Sequence, residues 1–232
     1  MRTVVVSLFA GMGGFDLAAR MMGWESVFVC EIDPVGQAIL KKHFPGAYIH
    51  GDIKTLKGDF IREKIKERFG DEPVRIVWCS GFPCQPFSSA GKREGIDDNR
   101  YLWPETIRVV RELRPDSIVL ENVAGLTSIL EPSDYADMES EAIQSICRHD
   151  IGIFDEPPKR EKVEISFEVV QQRIMGRILQ DIEEAGYETP RAKDGSPIVL
   201  CIPACAVGAP HRRDRVWFVA NARSPRRVQH IQ

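Results

Sequence analysis

Short apolar runs alternate with amphipathic stretches through the first half of the chain, and this alternation limits the fold more than any other feature. Val4–Phe9 is a continuous run opened by three valines. Such a run suits a parallel strand covered on both faces. A glycine turn follows, then a helical pattern from about Asp16 to Met22. Further strands are expected at Ser26–Cys30, Tyr48–His50, Arg75–Cys79 and Ser117–Leu120. Helices are expected between them at Val35–His43, Phe60–Phe69 and Tyr101–Leu113. Repeated strand–helix units imply right-handed crossovers. The expected class is therefore α/β, a mostly parallel sheet with helices on both faces.

The period lapses over residues 131–164, which hold ten acidic residues against four basic ones and include Pro157-Pro158. That stretch reads as an acidic insertion or mobile surface loop. Helical pattern returns from about Phe167 to Ala185. Ile198–Ile202 and Val216–Ala220 read as two last strands, arranged as a hairpin. Residues 221–232 have no apolar period and are expected to fray. A chain of 232 residues is long enough for one large domain, placed here at 1–220.

The formal net charge of −3 does not announce a nucleic-acid partner, although a basic cleft can sit on an acidic body. The six cysteines are Cys30, Cys79, Cys84, Cys147, Cys201 and Cys205. No secretory signal precedes them, and VVVSLFA is too short to span a membrane. A reducing, cytoplasmic compartment with free thiols is expected, with no membrane partner. Cys79 with Cys84 and Cys201 with Cys205 lack CxxC spacing, and no HxxxH partner exists, so no metal site is expected.

The turn after the first strand is FAGMGGFD. Gly11 and Gly13 can take positive φ and let backbone approach a ligand. Asp16 stands where a dinucleotide fingerprint has its third glycine. An acid at a helix start repels a pyrophosphate and suits a cationic or zwitterionic ligand. Glu31 ends the second strand, twenty residues after Gly11, where a carboxylate can accept from two ribose hydroxyls. Asp52, in HGDI, can accept from an exocyclic adenine amine. A ribose, an adenine and no phosphate describe S-adenosylmethionine. The plain alternative is a ligand-free turn with two solvated acids.

After the fourth strand comes CSGFPCQPFSSAG. Prolines on either side stiffen the turn around Cys84, and a loop at the carboxyl edge of a parallel sheet faces the ligand crevice. Cys30 and Cys79 lie within strands, as packing cysteines do. Cys84 is thus a candidate nucleophile, its alternatives being an inert exposed thiol or an awkward redox pair with Cys79. GKREGIDDNR downstream has the composition of a lid. Glu121, in ENV, should face the same crevice and can offer a proton to an electron-poor ring, the alternative being a structural ion pair. In GAPHRRDRVWFVA, Arg213 and Arg215 are one residue apart and are expected on one face of a strand, presenting donors to a carbonyl or phosphate. Residues 207–232 hold six arginines and one acid, which suits a phosphate-facing surface.

From Val5 to Ala220 these motifs, in this order, resemble the cytosine-5 DNA methyltransferases. SLFAGMGGFD is similar to that family's first motif, GFPCQPFS to its nucleophile motif and ENV to its acid motif. HRRDR, at His211–Arg215, is similar to its Gln-x-Arg-x-Arg signature, with His211 in place of glutamine. The resemblance implies a Rossmann-like, S-adenosylmethionine-dependent methyltransferase fold acting on double-stranded DNA, as in restriction-modification. It implies that Cys84 attacks carbon 6 of cytosine while Glu121 serves ring nitrogen 3. Arg215 would hold the base with Arg213 beside it, and Asn122 would support the acid. Phe9, Gly11, Gly13, Gly14, Asp16, Glu31, Ile32, Asp52, Ile53 and Pro83 would form the donor pocket.

Complete family members continue into a target-recognition region and a closing helix with a Gly-Asn motif. Nothing after Ala220 resembles either, so the chain is expected to be a subunit of a split enzyme completed by a second chain, a truncated product, or a shortened form. Weak donor binding in isolation is the corresponding expectation. The rival readings are a tRNA cytosine-5 methyltransferase of the same fold, a catalytically inactive module that binds donor or nucleic acid, and an NAD-dependent oxidoreductase, which Asp16 disfavours.

Overall fold

The structure, a computed structural model, describes residues 1–83, 102–124 and 174–223. Five strands alternate with helices in the first part: β1 (Arg2–Leu8), α1 (Gly14–Met21), β2 (Glu25–Cys30), α2 (Pro34–His43), β3 (Tyr48–His50), α3 (Gly58–Phe69), β4 (Val74–Ser80), α4 (Trp103–Leu113) and β5 (Ser117–Val123). The later part gives α5 (Ile174–Glu184), β6 (Tyr187–Glu188), β7 (Leu200–Ile202) and β8 (Arg215–Ala222). The segments 84–101, including the expected lid, and 131–164, the acidic stretch, lie outside the described residues.

The eight strands form one sheet in the order β3-β2-β1-β4-β5-β8-β6, with β7 also on β8. β1 to β5 run parallel. β8 lies antiparallel to β5, and β6 and β7 pair antiparallel with opposite ends of β8. The strand order reverses between β1 and β4, which makes their carboxyl ends the topological switch point where such sheets leave a ligand crevice.

β1 is central, so its apolar run is buried on both sides. Val4, Val6 and Leu8 join Ile61 of α3, Trp103 and Ile107 of α4, and Ile178 and Ile182 of α5 in one core layer. Val5 turns to the other face and packs with Ala19 of α1, Val77 and Cys79. Leu40 of α2 packs on Val29 and Ala10. Helices therefore cover both faces, as the alternation implies.

Local chemistry starts and stops these elements. Asp33 caps α2, accepting from the Val35 and Gly36 amides, and Pro34 occupies the first turn. Lys41, Lys42 and His43 sit in its last turn, where cations suit the helix dipole. Gly70 ends α3 at φ 60°.

Two differences from the sequence reading stand out. β6 is a two-residue strand that no period announces, held because Tyr187 is buried and pairs with Ala222. β8 runs past Ala220 because Asn221 pairs with Ser117 and also accepts from the Ser117 hydroxyl at 2.8 Å. Asn221 and Ala222 are therefore paired strand residues, and residues 224–232 lie outside the described residues.

Among the described residues, no helix is long and apolar enough to cross a membrane. Phe218 is 1% exposed and belongs to the core layer shared with α4 and α5. Phe218→Ala should cost about 3–5 kcal/mol. Urea unfolding should show this as a lower midpoint with an unchanged slope.

Candidate active site

Phe9 leaves β1 at φ 51°, a left-handed conformation that non-glycine residues rarely adopt. Gly11 and Gly13 continue the turn at φ 55° and 88°. The bend sends the backbone sharply over the carboxyl edge of the sheet. There the Gly11 N–H donates to Glu31 Oε2 at 2.6 Å, and Glu31 Oε1 accepts from the Asp33 amide at 2.9 Å. The Gly13 amide is used within the turn, by the Ala10 carbonyl at 2.8 Å. A carboxylate on the Gly11 amide closes this turn to phosphate, whose recognition needs free amides and no negative charge. The lone pairs left on Glu31 still suit hydroxyl donors. Gly36 permits the arrangement, since a Cβ there would lie 2.9 Å from Glu31 Cγ. Gln37 steadies it from α2 by donating to the Glu31 carbonyl at 2.7 Å.

Asp16 sits elsewhere. It is 0% exposed beneath α1 and accepts from Ser7 Oγ of β1 at 3.0 Å. The acid that excludes phosphate is therefore Glu31, because the 3.6-residue period of α1 turns Asp16 toward the sheet. Burial pushes the Asp16 carboxyl above its ordinary value, opposed by Ser26 and Ser7.

The remaining donor-side candidates divide by burial. Gly11, Gly14 and Ile32 are exposed, and Phe9, Glu31, Asp52 and Pro83 are half-buried. Gly13 and Ile53 are buried, the latter anchoring its turn in the core. Asp52 caps a short 3₁₀ turn, Ile53–Thr55, by accepting from the Lys54 amide at 2.9 Å.

Cys84 lies outside the described residues, but its stem does not. The Gly81 amide donates to the Leu8 carbonyl at 3.4 Å, tying the start of that segment to β1. Asn122 Nδ2 donates to the Phe82 carbonyl at 3.1 Å. The sequence reading gave Asn122 the task of supporting Glu121; strand alternation instead puts the two side chains on opposite faces, and Asn122 holds the stem. Glu121 faces the switch point, and a Cβ on Gly81 would lie 3.3 Å from Glu121 Oε2. Its other oxygen meets Arg215 Nε at 2.6 Å, each side chain about a quarter exposed.

Arg213 does not share that position. β8 begins at Arg215, where pairing with Val123 starts, whereas Arg213 has φ 39° and is exposed. The left-handed backbone breaks the period-two alternation expected of the two arginines. His211 is exposed beside it. Among the described residues, the non-glycine positions with positive φ are Phe9, Arg114 and Arg213, and two of these are site candidates. Sequence reasoning missed Gly36, Gln37 and Gly81; the glycine between Ser80 and Phe82 was the readable signal.

Cys30 and Cys79 are buried and free, and burial pushes both thiols up to about 12. Neither is a thiolate near neutrality. Cys201 and Cys205 are free and exposed.

A raised carboxyl is one whose ionised form the fold disfavours, so Asp16 costs stability above its folded pKa. That cost shrinks as pH falls from neutrality toward the ordinary carboxylate range. Asp16→Asn should melt at or above the wild-type temperature at pH 7. The difference between the two should narrow on acidification, in thermal melts run from pH 8 to pH 4.5.

Residues 3–137 match the family model described as C-5 cytosine-specific DNA methylase. The chain is 36% identical over 124 residues to the type II methyltransferase M.HhaI of Haemophilus parahaemolyticus, covering 53% of this chain and 34% of that protein. It is 36% identical over 149 residues to the type II methyltransferase M.AquIA of Picosynechococcus, covering 63% of this chain and 58% of that one. Its fold is similar to that of a prophage-encoded E. coli protein, with TM-score 0.59 and 21% identity over 96% of this chain and 47% of that one. The matches thus span about a third to three fifths of these curated relatives.

Proposed function

The chain belongs to the C-5 cytosine-specific DNA methylase family, and on that footing we propose that it takes part in transferring a methyl group from S-adenosylmethionine to carbon 5 of cytosine in DNA. The observation that carries the reading is the convergence of Glu121, Arg215 and Gly81 at the switch point. Glu121 pairs with Arg215 at 2.6 Å and lies against the stem that leads to Cys84.

Cytosine carbon 5 is a weak nucleophile until carbon 6 carries an adduct. The Cys84 thiolate adds to carbon 6, and the ring electrons move toward carbon 5 and nitrogen 3. Glu121 donates its proton or a hydrogen bond at nitrogen 3, which stabilises the resulting enamine. Arg215 holds the base and orients Glu121, and Arg213 contributes charge from the exposed turn. When bound, S-adenosylmethionine supplies the methyl group that carbon 5 receives. A base then takes the carbon 5 proton, and the thiolate leaves as the double bond re-forms.

On the donor side, Glu31 accepts from ribose and Asp52 from adenine. Phe9, Gly11, Gly13, Gly14, Ile32, Ile53 and Pro83 complete the pocket. Asp16, buried against Ser7, is not part of this pocket. The phosphate-excluding turn made by Gly11 and Glu31 fits a phosphate-free, cationic donor. The target base is stacked in a duplex and must be flipped out to reach Cys84. Residues 1–220 form the catalytic part, and a second chain supplying target recognition and the closing helix belongs to the proposal.

The test is trapping on duplex DNA containing 5-fluorocytosine with S-adenosylmethionine, with and without the product of the neighbouring reading frame. A covalent adduct should form and vanish in Cys84→Ser. Glu121→Gln should slow its formation by about 10²-fold or more, the scale of lost general-acid assistance. A preference for matched tRNA over DNA would reassign the substrate. Absence of adduct under every condition would sink the catalytic reading.

A further inference from the structure

We infer that Arg108 is a positioning residue for the donor site: from α4 it clamps the turn that carries Asp52 and Ile53, and so sets affinity for the adenine end of the donor. This rests on the donor reading of Asp52 given above.

Arg108 is on neither the glycine turn nor the Cys84 segment. Its Nη2 donates to the Ile53 carbonyl at 3.0 Å and its Nη1 to the Leu56 carbonyl at 2.9 Å. Both carbonyls belong to the short turn that follows Asp52. The other N–H groups meet carboxylates on α4 itself. Nε donates to Glu105 at 2.8 Å, Nη1 to Glu112 at 2.8 Å, and Nη2 lies 2.7 Å from Glu105. The guanidinium thus donates four hydrogen bonds and closes an ion pair with Glu105.

Glu112 extends the clamp. Its second oxygen accepts from the Gly58 amide at 2.8 Å, and Arg62 of α3 donates to its carbonyl. A Cβ at Gly58 would lie 2.5 Å from both Glu112 Cβ and the Leu113 backbone nitrogen. The chain therefore runs flush against α4 at this point. The segment after Asp52 is held at residues 53, 56 and 58 by one helix, while the Asp52 carboxylate has the Lys54 amide as its partner.

Pairs between Arg108 and the two glutamates, one helical turn away, would add little on their own, being about a third exposed. Bonds from a planar charged fork to two backbone carbonyls are different in kind, because they fix a direction as well as a distance. A lysine keeps the charge but not the fork. It can serve the helix carboxylates or one carbonyl, not all of them.

The test compares wild type with Arg108→Gln, Arg108→Lys and, as a control on the same helix, Arg111→Gln. Arg111 pairs with Asp181 and Glu184 of α5, away from the turn. Two quantities are read on the whole chain: amide hydrogen exchange over residues 53–58, and affinity for S-adenosylmethionine and S-adenosylhomocysteine by calorimetry. Both Arg108 variants should exchange faster at Lys54, Thr55, Leu56 and Gly58, with β1 and β4 unchanged. Donor affinity should fall about tenfold, the scale of one lost charge-assisted hydrogen bond. Arg111→Gln should alter neither.

Unchanged exchange in a folded Arg108 variant overturns the clamp. Faster exchange with full donor affinity overturns the positioning role. Equal losses in Arg111→Gln reduce Arg108 to a helix stabiliser. If wild type binds neither ligand, alone or with the product of the neighbouring reading frame, and exchange is faster only in the Arg108 variants, the donor reading fails and the clamp stands. Arg108→Lys keeps the comparison open if Arg108→Gln does not fold.

Discussion

β1 and β4 lie side by side in parallel, from Arg2 against Val74 to Leu8 against Ser80. The sheet grows outward from this pair in both directions, through β2 and β3 on one side and β5 and β8 on the other. Because the crossovers depart in opposite directions, no helix can cover the carboxyl ends of both strands, and a crevice remains there. The glycine turn and the stem of the Cys84 segment are the next residues of these two strands. The Gly81 amide donates to the Leu8 carbonyl, which ties the stem to the end of β1, where the glycine turn begins. The positions of Glu31, Asp52 and Glu121 follow from where their own strands stand in the same order.

Within that frame, partners distinguish the carboxylates. Glu31 is held by two backbone amides, Glu121 by an arginine, and Asp16 by a hydroxyl in the interior. Each environment suits a different task. Amides hold a carboxylate ready as an acceptor, an arginine fixes the direction of one, and burial withdraws one from the surface. The thiols divide in a similar way. Cys30 and Cys79 point into apolar layers and are held as thiols, while Cys84 follows a proline on the segment leaving the switch point.

Small residues make these environments possible. Gly36 makes room for Glu31, Gly81 stands close to Glu121, and Gly58 lets α3 begin against α4. Arg108 then joins α4 to the turn after β3. The donor-side candidates are thus supported from both helical layers, by Gln37 of α2 on one face and Arg108 of α4 on the other.

Most of the fold was legible in the sequence because its signals are local. The run at Val4–Val6, the recurring period and the glycine turn all act within a few residues, and they name β1 to β5 and the helices between them. Glu31, Asp52 and Glu121 could be placed from the sequence because strand ends are readable, while Cys84 lies outside the described residues. Contacts between distant segments were not. Nothing in a local pattern tells that Asp16 meets Ser7, that Asn122 holds Phe82, or that Arg213 takes a left-handed backbone while Arg215 reaches Glu121. β6 and the end of β8 were missed for the same reason, since two-residue pairing across the chain leaves no period. The sequence by itself determined the layered α/β plan and the strand ends that border the crevice. Only the tertiary structure decided which way each side chain turns and what it meets there, because strand order and helix phase are settled by packing between residues far apart in the chain.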